Sequence, residues 1–372
     1  MSRSSKSPPR GAAIRAAATT PWIVDARYDQ LFLWAAWCVP LLLWAVAVSV
    51  PYGLLVALTI FVLLDNSHQI ASLPLTIFDP ATMKRAAPVY LGGAAAIGSA
   101  AIVISLYPDT LVSKIWASLV VYWGAWHIIR QHYGFLRLYQ AREKPRDARV
   151  ATAEVVALYS GASFPYFLNL SHGWAAEGLG AMLYKVPVPS WSPWVVLAIF
   201  AVSLSIAMRD TLTRLRHRES AVSRRLLHVL LVVSNFWLGL LWVGREDIIL
   251  AVLFITSYHD LQYHAVVWLV GRKRAAAPSE PVRPAVRRVF GSLGMFTIVV
   301  LLGALGQAFW RNDFQLAASV LPQSAVTVAV FALFTSYSYM HYFFDGKMWK
   351  LSQDARLRAE LGLGSKPTAA VA

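Results

Sequence analysis

Charged residues and cysteines are scarce in this sequence. Only 14% of its 372 residues are charged, and Cys38 is the single cysteine. Soluble domains usually carry about 25% charged residues, so this composition excludes an ordinary soluble protein. One cysteine excludes an internal disulfide and a metal cage made of thiolates. Any metal bound by this chain would therefore have nitrogen and oxygen ligands.

Hydrophobic residues are abundant instead. They make up 57% of the chain, and the mean hydropathy is +0.51. Repeated apolar runs are each close to the roughly 20 residues that cross hydrocarbon, which predicts an all-α polytopic integral membrane helix bundle. About ten transmembrane helices are predicted, at residues 31–50, 52–73, 88–106, 111–133, 152–170, 191–208, 226–243, 248–270, 289–308 and 324–343.

Basic residues alternate between the loops. Lysine and arginine collect after every second predicted span, and the intervening loops contain few. Because these residues concentrate on the cytoplasmic side, the pattern predicts a multi-pass inner-membrane protein with both termini in the cytoplasm. Topology thus accounts for the net charge of +15, and no nucleic-acid partner is predicted. The predicted units are a disordered basic cytoplasmic tail at 1–25, the bundle at 26–350 and a cytoplasmic C-terminal tail at 351–372.

Histidines are the main polar feature of the apolar runs. His127 and His132 in the fourth run share a five-residue spacing with His259 and His264 in the eighth. The second and tenth runs contain one histidine each, His68 and His341. In the predicted topology all six lie in helices that run inward, near the inner leaflet. Intramembrane ionisable groups are usually functional, so we expect the six imidazoles to form one cluster.

A histidine cluster with carboxylates and no thiolate is typical of an iron or copper site. We predict the six histidines as ligands, with Asp65 and Asp345 as additional or supporting ligands. Asp260 and Arg130 are the catalytic candidates, although Arg130 equally fits a residue that extends to the interface. Histidines five positions apart point about 140° apart on a regular helix, so each pair needs two metal ions or a π-bulge to share a site. Structural hydrogen bonding is the alternative for any single histidine.

The His-x4-His pairs at the inner ends of apolar runs resemble the histidine boxes of membrane di-iron oxygenases, the fatty acid desaturase, hydroxylase and alkane monooxygenase group. The chain is also loosely similar to polytopic retinal-forming carotene dioxygenases, which have lone histidines on several helices. The HxxHH boxes of the first group are absent. Either resemblance implies iron that activates dioxygen against a lipid-soluble substrate.

The sequence therefore predicts an iron-dependent membrane oxidoreductase, with two ions, acting on a lipid or isoprenoid chain. Its expected partners are membrane lipids, the lipid-soluble substrate and an unidentified electron donor. A haem b electron carrier is one alternative, because two facing histidines can bracket a porphyrin. A transporter with a histidine proton relay is another. Three histidines are excluded from the site: His172 on the opposite side, and His217 and His228, which are expected to be solvated beside a basic loop.

Overall fold

The computed structural model describes residues 21–107, 110–143, 147–172, 184–217, 223–244, 248–277, 284–320, 332–333 and 336–363. These residues form helices and turns, and none of them is in a strand. The prediction of an all-α fold is confirmed.

The helices are numbered here in chain order. They are α1 (Ala26–Ser49), α2 (Gly53–Ala71), α3 (Pro80–Ser105), α4 (Leu111–Arg142), α5 (Ala148–His172), α6 (Ser192–Arg216), α7 (Arg224–Val243), α8 (Ile248–Ala276), α9 (Pro284–Val289), α10 (Leu293–Val320), α11 (Tyr337–Met348) and α12 (Ala355–Glu360). Residues Asp29–Trp34 of α1 and Leu238–Val243 of α7 are wound as π-helix.

Local sequence explains several helix ends. Thr110 caps α4, and its hydroxyl accepts a hydrogen bond from the Ser113 N–H at 3.2 Å. Between α1 and α2 the chain turns through Tyr52, whose φ is +59°. The next residue must be glycine, because a Cβ on Gly53 would lie 1.8 Å from the Val46 carbonyl oxygen. Pro88 lies inside α3, just after a kink at Ala86.

Five helices in the described part of the chain are long and apolar enough to cross a membrane: Ala26–Ser49, Gly53–Leu75, Pro80–Ser105, Ser192–Arg216 and Arg224–Val243. They coincide with five of the predicted spans. The predicted spans at 111–133, 152–170, 248–270 and 289–308 fall on or largely within α4, α5, α8 and α10. Much of the last predicted span, 324–343, lies outside the described residues. The total of ten and the positions of the termini stay predictions.

The outward faces of these helices are apolar. Large side chains such as Leu42, Leu55, Val202 and Leu302 are each more than 60% exposed. A soluble protein rarely leaves so much apolar surface in contact with water. This surface suits a hydrocarbon environment.

Helix α8 is the central element of the fold. It packs against α1, α2, α4, α7, α9 and α12. Residues Leu253, Phe254 and Val267 on α8 have no exposed surface and belong to two different apolar clusters. Polar side chains on α8 are therefore held rigidly in the interior.

The C-terminal segment is docked onto the bundle. Leu357 of α12 is completely buried, and the Glu360 carboxylate pairs with Arg274 of α8 at 2.9 Å. Burial raises the pKa of the Glu360 carboxyl, while the nearby Arg274 guanidinium acts in the opposite direction. Arg142 donates a hydrogen bond to the Leu361 carbonyl oxygen at 2.8 Å. Residues up to Leu363 of the predicted tail thus belong to the folded body.

Candidate metal centre

Four histidines from four different helices meet in the interior. They are His68 of α2, His127 of α4, His259 of α8 and His341 of α11. Their ring centroids are 5.1 Å apart for His68 and His259, 5.0 Å for His259 and His127, 5.0 Å for His127 and His341, and 4.6 Å for His341 and His68. The four imidazoles thus form a closed ring, which we call the histidine ring.

The histidine ring is shielded from the surroundings. His127 is the most exposed member, at 8%, and the other three are at 3% or less. Neighbouring rings meet at interplanar angles of 69° to 88°. Three of these rings, those of His68, His127 and His259, each place a nitrogen within 4.8 Å of the other two.

Asp345 lies at one side of the histidine ring. Its Oδ2 atom is 3.8 Å from the Nε2 atoms of both His127 and His341. Its other oxygen, Oδ1, accepts a hydrogen bond from the Tyr263 hydroxyl at 2.6 Å. The carboxylate is therefore fixed in orientation with one oxygen directed toward two imidazoles.

His68 is oriented by acceptors on its outer nitrogen. Its Nδ1 lies 2.7 Å from the Asp65 carbonyl oxygen and 3.0 Å from Asp260 Oδ1. Because both neighbours are acceptors, the proton is assigned to Nδ1 and the lone pair to Nε2. A carboxylate behind a histidine in this way fixes the tautomer that binds metals. Asp260, predicted as a catalytic candidate, has its carboxylate beside His68 in this way.

The inner nitrogens have no hydrogen-bond partner among the described residues. They are Nε2 of His68 and His127 and both ring nitrogens of His259 and His341. Buried polar atoms without a partner are costly, so such a group of them requires an explanation. A bound cation would satisfy several nitrogens at once.

Within the described part of the chain, three groups of side chains have ligand atoms within 4.8 Å of one another. Two of these groups share His127, namely His68 with His127 and His259, and His127 with His341 and Asp345. The third contains Asp65, His68 and Asp260. These buried His/Asp groups could hold a metal ion.

The second histidine of each pair faces other partners. His264 Nδ1 donates to the Asp260 carbonyl oxygen at 2.7 Å, and its Nε2 contacts the Ser67 hydroxyl at 2.9 Å. His132 stacks on Tyr258, and its ring centroid is 6.5 Å from that of His259. Helices α4 and α8 are regular α-helices throughout. Without a π-bulge, the angular separation of residues five apart keeps His132 and His264 out of the histidine ring.

Arg130 is directed away from the histidine ring. It is exposed, its guanidinium donates to the Tyr159 hydroxyl at 3.0 Å, and it lies over the Tyr133 ring at 4.7 Å. This position matches the interfacial alternative considered for this residue.

The expectation that His228 is solvated is wrong. Helix α7 begins at Arg224, and this places His228 on a face that packs against α4 with no exposed surface. His228 Nε2 donates to the His132 carbonyl oxygen at 3.0 Å. His217 is exposed, as expected, and His172 is exposed as well.

Tyr263 is a site residue that the sequence did not single out. It is 1% exposed, and its hydroxyl donates a hydrogen bond to Asp345. The sequence could have indicated this role, because Tyr263 follows His259 by four residues on one helix and residues four apart share a helix face.

Comparison of the chain with protein family models, with curated proteins and with solved structures gives no match. The resemblance to histidine-box oxygenases therefore stays a prediction, and the residues themselves are the basis for any function.

Proposed function

We propose that this chain is a membrane-embedded, metal-dependent oxidoreductase whose centre is the histidine ring with Asp345. The observation that carries the proposal is the convergence, in a buried place, of one oriented carboxylate and four imidazoles that each have a ring nitrogen without a hydrogen-bond partner. Groups without charge compensation or hydrogen bonds are expensive to bury. A cation at this point provides the missing interactions.

Iron is the metal that this donor set favours. Neutral imidazole with carboxylate and without thiolate suits iron and copper, and an open coordination position on iron supports oxygen chemistry. When bound, the metal would supply redox capacity for desaturation, hydroxylation or oxidative cleavage. His68, His127, His259, His341 and Asp345 would hold it. Tyr263 would orient Asp345, and Asp260 would orient His68.

The substrate class follows from the environment of the centre. The histidine ring lies inside a bundle with an apolar outer surface. Small water-soluble substrates would have to cross that apolar layer, whereas a lipid or isoprenoid chain partitions into it. We therefore propose a lipid-soluble substrate, supplied from the membrane.

A haem is a poorer fit than a metal ion. A porphyrin would have to be inserted between two imidazole side chains. The four imidazoles of the histidine ring are already in edge-to-face contact with their neighbours, with centroids 4.6 to 5.1 Å apart. This spacing favours an ion at the common centre.

Two matched pairs of variants test the metal centre. Detergent-purified parent protein is expected to contain stoichiometric iron by elemental analysis, and the metal-to-protein ratio gives the number of ions. His127→Ala and His259→Ala should each lose most of the metal. His132→Ala and His264→Ala, five residues further along the same helices, should retain it. A parent protein without stoichiometric metal, or equal loss in all four variants, would contradict the proposal.

A further inference from the structure

A line of aromatic side chains joins the histidine ring to the surface of the protein. Starting at His259, the next ring is His132, with a centroid separation of 6.5 Å, followed by His228 at 5.6 Å. Tyr139 follows at 5.7 Å from His228, and Trp34 lies 6.3 Å beyond it. The line ends at the partly exposed Trp22, 5.3 Å from Trp34.

The inner members of this line are held in fixed positions. His132, His228 and Tyr139 have no exposed surface. His228 is attached through its Nε2 to the His132 carbonyl oxygen. Trp22 at the outer end lies under the Arg224 guanidinium, which is 4.1 Å from the ring centroid. Every neighbouring pair is therefore in near contact along the whole line.

Tyr139 has a proton acceptor of its own. Its hydroxyl donates to Asp29 Oδ2 at 3.2 Å, and Asp29 is completely buried. The Asp29 carboxylate is oriented by the backbone N–H groups of Ile23 and Val24, at 2.8 and 3.1 Å. A phenol loses an electron far more easily when its proton can move to such an acceptor at the same time.

We propose that the line from His259 to Trp22 is an electron relay that carries oxidising equivalents from the histidine ring to the surface. The proposal rests on the proposed function, because the oxidant is a metal ion at the histidine ring after its reaction with dioxygen or a peroxide. A centre that handles dioxygen far from water needs a route by which an unused oxidising equivalent leaves without damage to its ligands. Indole and phenol rings are the side chains best able to carry it.

The electrons and protons of the relay balance. Tyr139 would give one electron, through the His228 and His132 rings, to the oxidised metal ion that the histidine ring would hold. The phenolic O–H bond breaks, its proton passes to Asp29, and a neutral tyrosyl radical remains. Trp34 then gives one electron to this radical, and the proton returns from Asp29 to the tyrosine oxygen.

The outer half of the relay restores the resting state. Trp22 reduces oxidised Trp34, and a soluble one-electron reductant such as a thiolate or a reduced flavin restores Trp22. In total, one electron moves from the external reductant to the centre. No proton is gained or lost by the protein.

Oxidative mapping of the full-length, iron-loaded protein tests the relay. After treatment with a small amount of hydrogen peroxide, mass spectrometry should find oxidation products at Trp22 and Trp34. Tyr139→Phe should reduce oxidation at both tryptophans at least tenfold, because phenylalanine is not oxidised. Tyr166→Phe is the matched control, since this partly buried tyrosine packs against Phe236 outside the line, and it should leave the pattern unchanged.

A second variant gives a different readout. Trp34→Phe interrupts the relay beyond the tyrosine, so a tyrosyl radical should persist in electron paramagnetic resonance spectra and oxidation at Trp22 should disappear. The relay would be overturned if Trp22 were oxidised equally in the parent and in Tyr139→Phe, or equally in iron-loaded and metal-free protein. In either case the proposed function would still stand, provided that the parent protein binds iron. A parent protein that binds no iron would overturn both.

Discussion

His127 and His132 are on the same regular helix, yet they have different surroundings. His127 is a member of the histidine ring, and His132 stacks on Tyr258. The same separation occurs between His259 and His264. At the scale of single residues, side-chain direction decides which imidazole reaches the centre. Two side chains five positions apart on an α-helix point in directions that differ by more than a third of a turn.

Tyr263 is expected to control metal affinity through Asp345. Tyr263→Phe removes the hydroxyl that lies 2.6 Å from Asp345 Oδ1, so the carboxylate loses its fixed orientation. Loss of such a supporting hydrogen bond usually costs about 10-fold to 100-fold in metal affinity. Competition with a chelator measures the iron dissociation constant.

Tyr258→Phe on the same helix is the control for this prediction. The Tyr258 hydroxyl donates to the Leu33 carbonyl oxygen, away from Asp345. Its removal should leave the iron dissociation constant within about twofold of the parent value. For comparison, a tenfold change in that constant corresponds to about 1.4 kcal/mol of binding free energy. Equal affinities in Tyr263→Phe and Tyr258→Phe would show that Tyr263 does not position a ligand.

At the scale of helices, buried ion pairs join elements that apolar packing alone would leave free to slide. Arg225 at the start of α7 has no exposed surface. It lies 3.3 Å from Glu154 of α5 and 3.2 Å from Asp210 of α6. Glu143, which follows α4, is 3.8 Å from its Nε. One guanidinium thus connects four consecutive parts of the chain.

Arg225→Met is expected to destabilise the protein strongly. The substitution leaves Glu154 and Asp210 buried without their shared cation, and breaking a buried pair in this way typically costs about 3–5 kcal/mol. Thermal unfolding in detergent should show a clearly lower Tm. Arg85→Met removes an exposed pair with Asp354, which should leave Tm unchanged. A normal Tm for Arg225→Met would mean that the carboxylates find other partners.

At the scale of the whole molecule, an apolar outer surface surrounds a polar centre. The exposed leucine and valine side chains suit hydrocarbon, and the histidine ring lies among buried helices. Helix α2, which carries His68, is one of the five described helices long and apolar enough to span a membrane, whereas α4, α8 and α11, which carry the other three histidines, are not among them. The predicted orientation of this body follows from its basic loops.

Cysteine labelling tests that orientation. Cys38 is the single cysteine, so Cys38→Ser provides a background without thiols. A membrane-impermeant thiol reagent applied to intact cells should label Lys114→Cys and Lys185→Cys. It should label Arg216→Cys and Arg288→Cys only after permeabilisation, because these positions belong to the basic segments that the sequence predicts on the cytoplasmic side. Labelling of all four in intact cells would contradict the alternating topology.

The sequence by itself determined the all-helical fold and indicated which residue types would form a centre. Helix formation and the preference of apolar runs for hydrocarbon depend on local composition, which is readable without coordinates. The low cysteine content likewise limited the ligands to nitrogen and oxygen.

Only the tertiary structure decided which polar residues meet. Three findings depend on how the helices are rotated against one another. They are the different surroundings of His127 and His132, the contact between His68 and the Asp260 carboxylate, and the burial of His228. A rotation of one helix by a single residue moves a side chain by about 100°, and spacing along the chain does not fix that rotation. Packing against neighbouring helices fixes it, and with it the composition of the centre.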